Sequence, residues 1–176
     1  MGGSRAKDQA RGSPDPHAAP LKLEEFLPYR LYVVANLVSQ ALSRIYVDRY
    51  RIGVPEWRIL VTLGQFEVMT AKAIGAHSHM HKTKVSRAVG ALEQRKLIVR
   101  RENSADRREV LLSLTPAGRT VYHDLAPSAL EFARRLFETI DPADRAAFER
   151  AIDRLTERSR IWSAGSPATE NVKRRP

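Results

Sequence analysis

Apolar residues recur at helical spacing near the start of the chain. Between residues 23 and 51 they fall every three or four positions, at Leu27, Leu31, Val34, Ala35, Val38, Leu42 and Ile45. This spacing places them on one face of an amphipathic helix. Pro28 fits only the first turn, so we expect the helix to begin near Leu27. We expect Gly53 to end it and a second helix to occupy Pro55–Gly64.

Two cap-plus-proline signals mark helices near the end of the chain. Thr115 is a suitable N-cap with Pro116 in the first turn. This helix should run toward residue 139, with Pro127 kinking or breaking it. Asp141 and Pro142 repeat the signal and predict a last helix to about residue 160.

The central segment combines both kinds of periodicity. The pattern indicates a short helix, Thr70–His77, then a turn, Ser78–His81, and a basic amphipathic helix over Lys82–Leu97. Two strand-like runs follow, Leu97–Arg100 and Glu109–Leu114. The order favours a helix-turn-helix followed by a β-hairpin wing, an arrangement suited to gripping duplex DNA.

The expected fold is therefore mainly α with a small β-hairpin wing, a winged helix-turn-helix flanked by long terminal helices. We divide the chain into a disordered arm (1–20), an N-terminal dimerisation helix (21–52), a DNA-binding lobe (53–115), C-terminal dimerisation helices (116–162) and a disordered tail (163–176). Long amphipathic helices around so small a centre need another apolar surface, and a second copy of the chain would supply it. The alternative is that the helices cover each other within one monomer.

Composition adds a preference for polyanionic partners. The 176 residues carry 30 Lys and Arg against 20 Asp and Glu, a net charge of +10, which by itself fits DNA, RNA or anionic lipid. The chain contains no cysteine, which excludes disulfides and thiolate metal sites. No run of about 18 apolar residues predicts a membrane span, and the first residues lack a signal peptide's apolar stretch. We expect a cytoplasmic protein with no membrane partner.

The basic helix carries candidate DNA contacts on one face. Its apolar positions, which should face inward, are Val85, Ala88, Val89 and Leu92. The opposite face carries Lys82, Thr83, Lys84, Ser86, Arg87 and Gly90 near its start, then Gln94 and Arg95. A helix entering the major groove reaches base edges with its N-terminal residues. We assign Thr83, Lys84 and Arg87 to this role. A solvated basic face is the alternative.

The hairpin connection holds the second group of candidate DNA contacts. An arginine at a wing tip can enter the narrow minor groove, where the negative potential is strongest. We assign that role to Arg108, with Asp106 orienting its guanidinium and Arg107 on a phosphate. An ordinary polar turn is the alternative.

These residues resemble the MarR family of winged helix-turn-helix regulators. The most specific similarity is Asp106-Arg107-Arg108, followed by the wing exit Leu112–Gly118. Further similar segments are Val85-Ser86-Arg87, Leu92-Glu93 and Leu97–Arg101. The resemblance implies a recognition helix at 82–95, a wing around 103–108 and a homodimer joined through the terminal helices.

Three residues depart from the family pattern. Lys96 and His79 stand where the family tends to have glycine, at helix ends that favour a positive φ. Ser78 stands where a core leucine is usual. These departures concern the local turn geometry.

The histidines allow a metal-binding alternative. His77, His79 and His81 alternate along a helix end and a turn, and their side chains would share a face only if the helix continued. We prefer a role for His81 in capping the basic helix and touching phosphate. A metal-sensing regulator using these three residues stays open as the alternative, but we predict neither a bound metal nor a cofactor.

An effector site is suggested by a second, less specific resemblance. The segments 27–32 and 52–60 look like a MarR subgroup that controls aromatic-acid catabolism, in which some members respond to hydroxycinnamoyl-type aryl-CoA thioesters. Such ligands need an apolar slot and cations. The side chains expected to bind a small aromatic acid or its CoA ester are Arg30, Tyr32, Asn36, Tyr46, Trp57 and Arg58. Packing or surface exposure is the alternative for each.

The function that we predict is a dimeric repressor that binds a near-palindromic operator and is released by its effector. No nucleophile elbow, phosphate loop or zinc-protease motif occurs, so we expect no enzyme. A metal-dependent enzyme and a DNA binder without sequence preference remain as rival hypotheses.

Overall fold

The computed structural model describes residues 20–102 and 109–165. Within these ranges the chain is mainly helical, with three short strands. The elements in chain order are α1 (Leu27–Tyr50), α2 (Val54–Phe66), β1 (Val68–Thr70), α3 (Ala71–Ser78), α4 (Lys82–Gln94), β2 (Ile98–Glu102), β3 (Val110–Leu114), α5 (Pro116–Phe137) and α6 (Pro142–Ser163). This order confirms the mainly α fold with a small wing.

The helix boundaries follow the expected capping residues with two exceptions. Thr115 Oγ1 accepts a hydrogen bond from the Gly118 N–H at 3.0 Å, and Asp141 Oδ1 accepts one from the Ala143 N–H at 2.8 Å. Gly53 was expected to end the first helix, but α1 stops at Tyr50 and Gly53 is the N-cap of α2.

The second exception is Pro127, which lies inside a continuous α5. Of the two outcomes expected there, a kink or a break, the break does not occur. Leu125 is fully buried on one side of the proline, and Ala129 packs against the core on the other. Core packing on both sides therefore holds the helix together across the missing N–H.

The wing strands belong to a three-stranded antiparallel sheet in the order β1-β3-β2. Ile98 pairs with Leu114 in β2 and β3, while Val68 pairs with Ser113 across β1 and β3. The sequence predicted the β2–β3 hairpin and missed β1. Three residues are too few for a period-two pattern to be visible.

By compactness the chain divides into two units, residues 1–41 and 42–176, and the division falls inside α1. The second unit contains the hydrophobic core. Its fully buried large side chains are Tyr46, Ile52, Ile59, Leu60, Leu63, Ile74, Leu92, Leu112 and Leu125. All four α4 positions expected to face inward are buried.

Four residues with side chains in the described part of the chain have a positive φ, and all four lie at helix ends: Arg51, Glu67, His79 and Lys96. His79 has φ 51° and Lys96 has φ 56°, as expected from the family's preference for glycine there. After Lys96, the Leu97 N–H bonds the Leu92 carbonyl and the Lys96 N–H bonds the Glu93 carbonyl, the pattern of a Schellman motif. Ser78, which replaces a core leucine, bonds the Ile74 carbonyl through its hydroxyl at 2.6 Å.

Several apolar side chains lie exposed on the long helices. α6 buries none of its residues, and Phe148, Ile152 and Leu155 on it are about two fifths exposed. In the first unit, Leu27 and Leu37 are more than half exposed. In the described part of the chain, no helix has both the length and the apolar character needed to cross a membrane.

Candidate nucleic-acid interface

The helix α4 carries the basic face, and it begins at a side-chain N-cap. His81 is the N-cap, and its Nδ1 accepts a hydrogen bond from the Thr83 N–H at 3.3 Å. The predicted capping role of His81 is therefore confirmed.

The residues predicted to touch DNA on α4 are all exposed, namely His81, Lys82, Thr83, Lys84, Ser86 and Arg87. Three of them are cations within six positions, and the buried Val85 and Ala88 hold the helix against the core from the other side. The exposed side of α4 thus carries cations and hydrogen-bond donors, which suits phosphates and base edges in a groove.

A bidentate ion pair joins α4 to the wing. Arg100 of β2 donates from Nε to Glu93 Oε1 at 2.6 Å and from Nη2 to Glu93 Oε2 at 2.7 Å. The hydrogen bonds to Glu93 raise the pKa of Arg100. The pair fixes the base of the wing to the recognition helix. The sequence analysis missed it, since nothing in the chain marks Arg100 as facing α4.

The predicted wing-tip residues Asp106, Arg107 and Arg108 lie outside the described residues. Their proposed contacts with the minor groove stay predictions. The strands that lead into the tip end at Glu102 and begin at Val110.

A junction of three helices lies at the end of α1 and was not predicted. Asp124 of α5 accepts hydrogen bonds from Arg49 and from the Tyr50 hydroxyl, the latter at 2.8 Å. The bond to Asp124 raises the pKa of Tyr50. Arg95, at the C-cap of α4, donates to the Tyr50 carbonyl at 2.7 Å and the Arg51 carbonyl at 3.3 Å. These partners lie 44 or more residues apart, so no local pattern could reveal them.

A cavity of about 540 Å³ lies beside the basic face. It is lined by Ala71, Lys72, Gly75, Lys82, Val85, Ser86, Val89, Arg100, Val110 and Leu112. Valine and leucine side chains form apolar walls, while Lys72, Lys82 and Arg100 bring cationic groups. A cavity of this size and character can hold a small apolar anion.

The histidines do not come together as a metal site. His77 packs edge-on against Phe66, with ring centroids 4.9 Å apart, and His81 caps α4. Among the described residues, no group of three or more His, Asp or Glu side chains could hold a metal ion. The structure therefore gives no support to the metal-sensing alternative.

The predicted effector residues fall into two sets. Tyr46 and Trp57 are buried and stacked with ring centroids 5.2 Å apart. Burial raises the pKa of Tyr46, and the nearby charge of Arg58 opposes this rise. Both rings therefore pack in the core, which is the alternative that was given for them in place of ligand contact. The exposed set consists of Arg58 in the second unit and of Arg30, Tyr32 and Asn36 in the first.

The element order, the three-stranded sheet and the exposed basic helix define a winged helix-turn-helix protein. The sequence profile described as "MarR family" matches residues 52–110. These residues contain α2, β1, α3, α4 and β2. This part of the chain is therefore a winged helix-turn-helix of the MarR type.

Three known proteins show the extent of the similarity. An organic hydroperoxide resistance transcriptional regulator of Bacillus subtilis is 29% identical over 98 residues, 56% of this chain and 66% of that protein. A MarR family regulator from Silicibacter pomeroyi superposes with a TM-score of 0.64 at 25% identity, covering 76% of this chain and 90% of the other. A third protein is Bordetella bronchiseptica BpsR, whose DNA binding is regulated by 6-hydroxynicotinic acid. It superposes with a TM-score of 0.61 at 21% identity, covering 72% of this chain and 98% of the other. The first two of these proteins are transcriptional regulators by name.

Proposed function

We propose that the chain is a DNA-binding repressor that recognises a specific duplex through α4. The observation that carries this proposal is the exposed face of α4, where Lys82, Lys84 and Arg87 lie over an apolar side buried in the core. A helix held in this way presents its N-terminal half to the major groove. The family's role in transcription points in the same direction.

The contacts divide by chemistry. Thr83, Lys84 and Arg87 are proposed to reach base edges, where a lysine or arginine pairs well with guanine O6 and N7. His81, Lys82 and Ser86 are proposed to bond phosphates and so fix the register. The wing tip adds Arg108 in the minor groove with Asp106 orienting it, while Arg107 meets a phosphate.

We propose that the chain acts as a homodimer on a near-palindromic operator. The support is the unburied apolar side of α6, with Phe148, Ile152 and Leu155 exposed. A symmetric partner would cover that surface. Two recognition helices would then enter successive major grooves about one helical turn apart.

We propose that the chain represses genes of aromatic-acid catabolism. The effector that releases it from the operator is a small aromatic acid or its CoA thioester. Support comes from BpsR, whose DNA binding is regulated by an aromatic acid, 6-hydroxynicotinic acid. The cavity beside α4 is lined by none of the six candidate effector residues. Arg30, Tyr32, Asn36 and Arg58 stay the exposed candidates, with Tyr46 and Trp57 shaping the core behind Arg58. A response through thiol oxidation is excluded, since the chain has no cysteine.

The test starts from selection of duplexes out of a random 30-base-pair pool by the parent protein. The binding of the selected duplex is then compared for the parent, Arg87→Ala and Arg119→Ala, the last removing one exposed charge from α5. We expect Arg87→Ala to lose about 1–3 kcal/mol of binding free energy and to relax one base preference. Arg119→Ala should bind as the parent does. Equal losses from both variants would contradict base readout by α4.

A further inference from the structure

The C-terminal end of α4 is fastened to the end of α1 by one side chain. The Arg95 guanidinium donates to two carbonyls, from Nη2 to Tyr50 at 2.7 Å and from Nη1 to Arg51 at 3.3 Å. The last carbonyls of a helix lack partners within the helix and form the negative end of its dipole. A guanidinium with two parallel donors satisfies both at once.

The receiving end of α1 is itself held rigidly. The Arg51 N–H bonds the Val47 carbonyl at 2.8 Å and leaves Arg51 with φ 48°. The Tyr50 hydroxyl donates to Asp124 of α5 at 2.8 Å. Tyr50 therefore connects three helices, α4 through its carbonyl and α5 through its phenol.

The donor end is rigid as well. The Schellman motif at Lys96 fixes the backbone directly after Arg95, and Glu93 is paired with Arg100 of β2. The recognition helix thus has one side-chain anchor to the wing and a separate one to α1. Arg95 lies at the end of α4 opposite the base-reading residues.

We infer that Arg95 is a positioning residue, which sets the angle at which α4 enters the DNA without touching the DNA itself. A helix of 13 residues is about 20 Å long. A rotation of about 5° at its C-terminal end would therefore move the N-terminal residues by more than 1 Å. Hydrogen bonds to base edges tolerate only a few tenths of an ångström. Phosphate contacts by flexible lysines are less demanding.

An anion site at the same place is the weaker interpretation of this arginine cluster. Arg49, Arg51 and Arg95 line a shallow surface depression of about 490 Å³. However, Arg49 is paired with Asp124, and Arg95 already serves the carbonyl end of α1. The cluster keeps a net positive charge, but the two carbonyl bonds already occupy donors of the Arg95 guanidinium and fix its position.

The experiment uses the full chain, the selected duplex of the preceding subsection and a scrambled duplex of equal length. Three variants are compared, Arg95→Ala, Arg95→Lys and Arg51→Ala. The Arg51 variant removes one exposed charge from the same surface but keeps the backbone carbonyl that Arg95 binds. Affinity is measured at several salt concentrations, and circular dichroism gives the folded fraction.

The hydrogen bonds of the charged Arg95 guanidinium stabilise the orientation of α4 by more than neutral ones would. We therefore expect Arg95→Ala to weaken binding of the selected duplex about tenfold. Binding of the scrambled duplex and the salt slope should not change. Arg95→Lys should lose nearly as much, because one ammonium cannot span both carbonyls as the guanidinium does. It also carries the test if Arg95→Ala fails to fold. Arg51→Ala should bind both duplexes as the parent does.

Two outcomes would overturn the inference. A loss on both duplexes with a salt slope reduced by about 0.9 would make Arg95 a phosphate contact. Unchanged affinity in folded Arg95 variants would make it a residue of stability alone. The inference rests on the proposed function, and a parent protein that did not prefer the selected duplex would contradict that function instead.

Discussion

At the scale of single residues, Lys96 carries a backbone conformation that glycine adopts without strain. Its φ of 56° completes the Schellman motif at the end of α4. We expect Lys96→Gly to raise the free energy of unfolding by about 0.5–1 kcal/mol, since the strain at a left-handed residue is removed. Urea denaturation measures this change. Lys96→Ala removes the same charge but keeps a Cβ, and an equal gain from it would refute the backbone explanation.

Gly118 is required because no side chain fits at its position. A Cβ there would lie 1.9 Å from the Leu97 carbonyl oxygen, whereas a Cβ on Gly90 of α4 meets nothing within 4 Å. We expect Gly118→Ala to lower the free energy of unfolding by about 1–3 kcal/mol or more through overpacking.

Gly90→Ala is the matched control for this substitution. It should raise the free energy of unfolding by about 0.5–1 kcal/mol through helix propensity. Denaturation of both variants separates the two effects. If Gly118→Ala stabilised the protein, α5 could not lie as close to the Leu97 carbonyl as the structure places it.

The residue scale also shows what the sequence can and cannot predict. His79 and Lys96 were expected to take positive φ because that requirement is local to a helix end. The partners of Arg95 and Arg100 were not expected, because their choice depends on how distant segments pack. The burial of Tyr46 and Trp57 was weighed only as an alternative to ligand contact, since an aromatic ring suits either setting.

At the scale of elements, the pair of Glu93 and Arg100 links the recognition helix to the wing. Both side chains are partly exposed, Arg100 by 51% and Glu93 by 28%, so solvent weakens their attraction. We expect a coupling free energy of roughly 0.5–1 kcal/mol from a double-mutant cycle with Glu93→Ala and Arg100→Ala. Additive effects of the two substitutions would show that the pair contributes nothing to stability.

The helices were predicted well because capping residues and apolar spacing are local signals. Thr115 and Asp141 cap α5 and α6 as expected, and α1 begins at Leu27 as expected. The strand β1 was missed, and its pairing with β3 is set by a partner more than 40 residues away. The uninterrupted α5 likewise depends on core contacts on both sides of Pro127.

At the scale of the whole molecule, the exposed apolar residues of α6 predict a dimer. Sedimentation of the parent should give twice the mass of one chain. A variant with Ile152→Glu and Leu155→Glu should be monomeric, because charges cannot be buried there without partners. Arg150→Glu, on another part of α6, is the control and should stay dimeric. A dimeric double variant would place the interface elsewhere.

Element order and charge placement together predicted the winged helix-turn-helix arrangement, because both are visible along the sequence. The wing-tip contacts lie outside the described residues and stay predictions, as does the effector. The proposed effector residues are divided between the two units. Whether they form one site depends on packing between distant segments, which no local sequence pattern encodes.

The most direct test of the account is a competition titration with the parent protein at a fixed, near-physiological salt concentration. The selected duplex is labelled, and unlabelled selected or scrambled duplex competes for the protein. Recognition of bases by α4 predicts a preference for the selected duplex of about a thousandfold or more. Equal competition by the two duplexes would show a basic protein that binds DNA without reading its sequence, and would contradict the central claim.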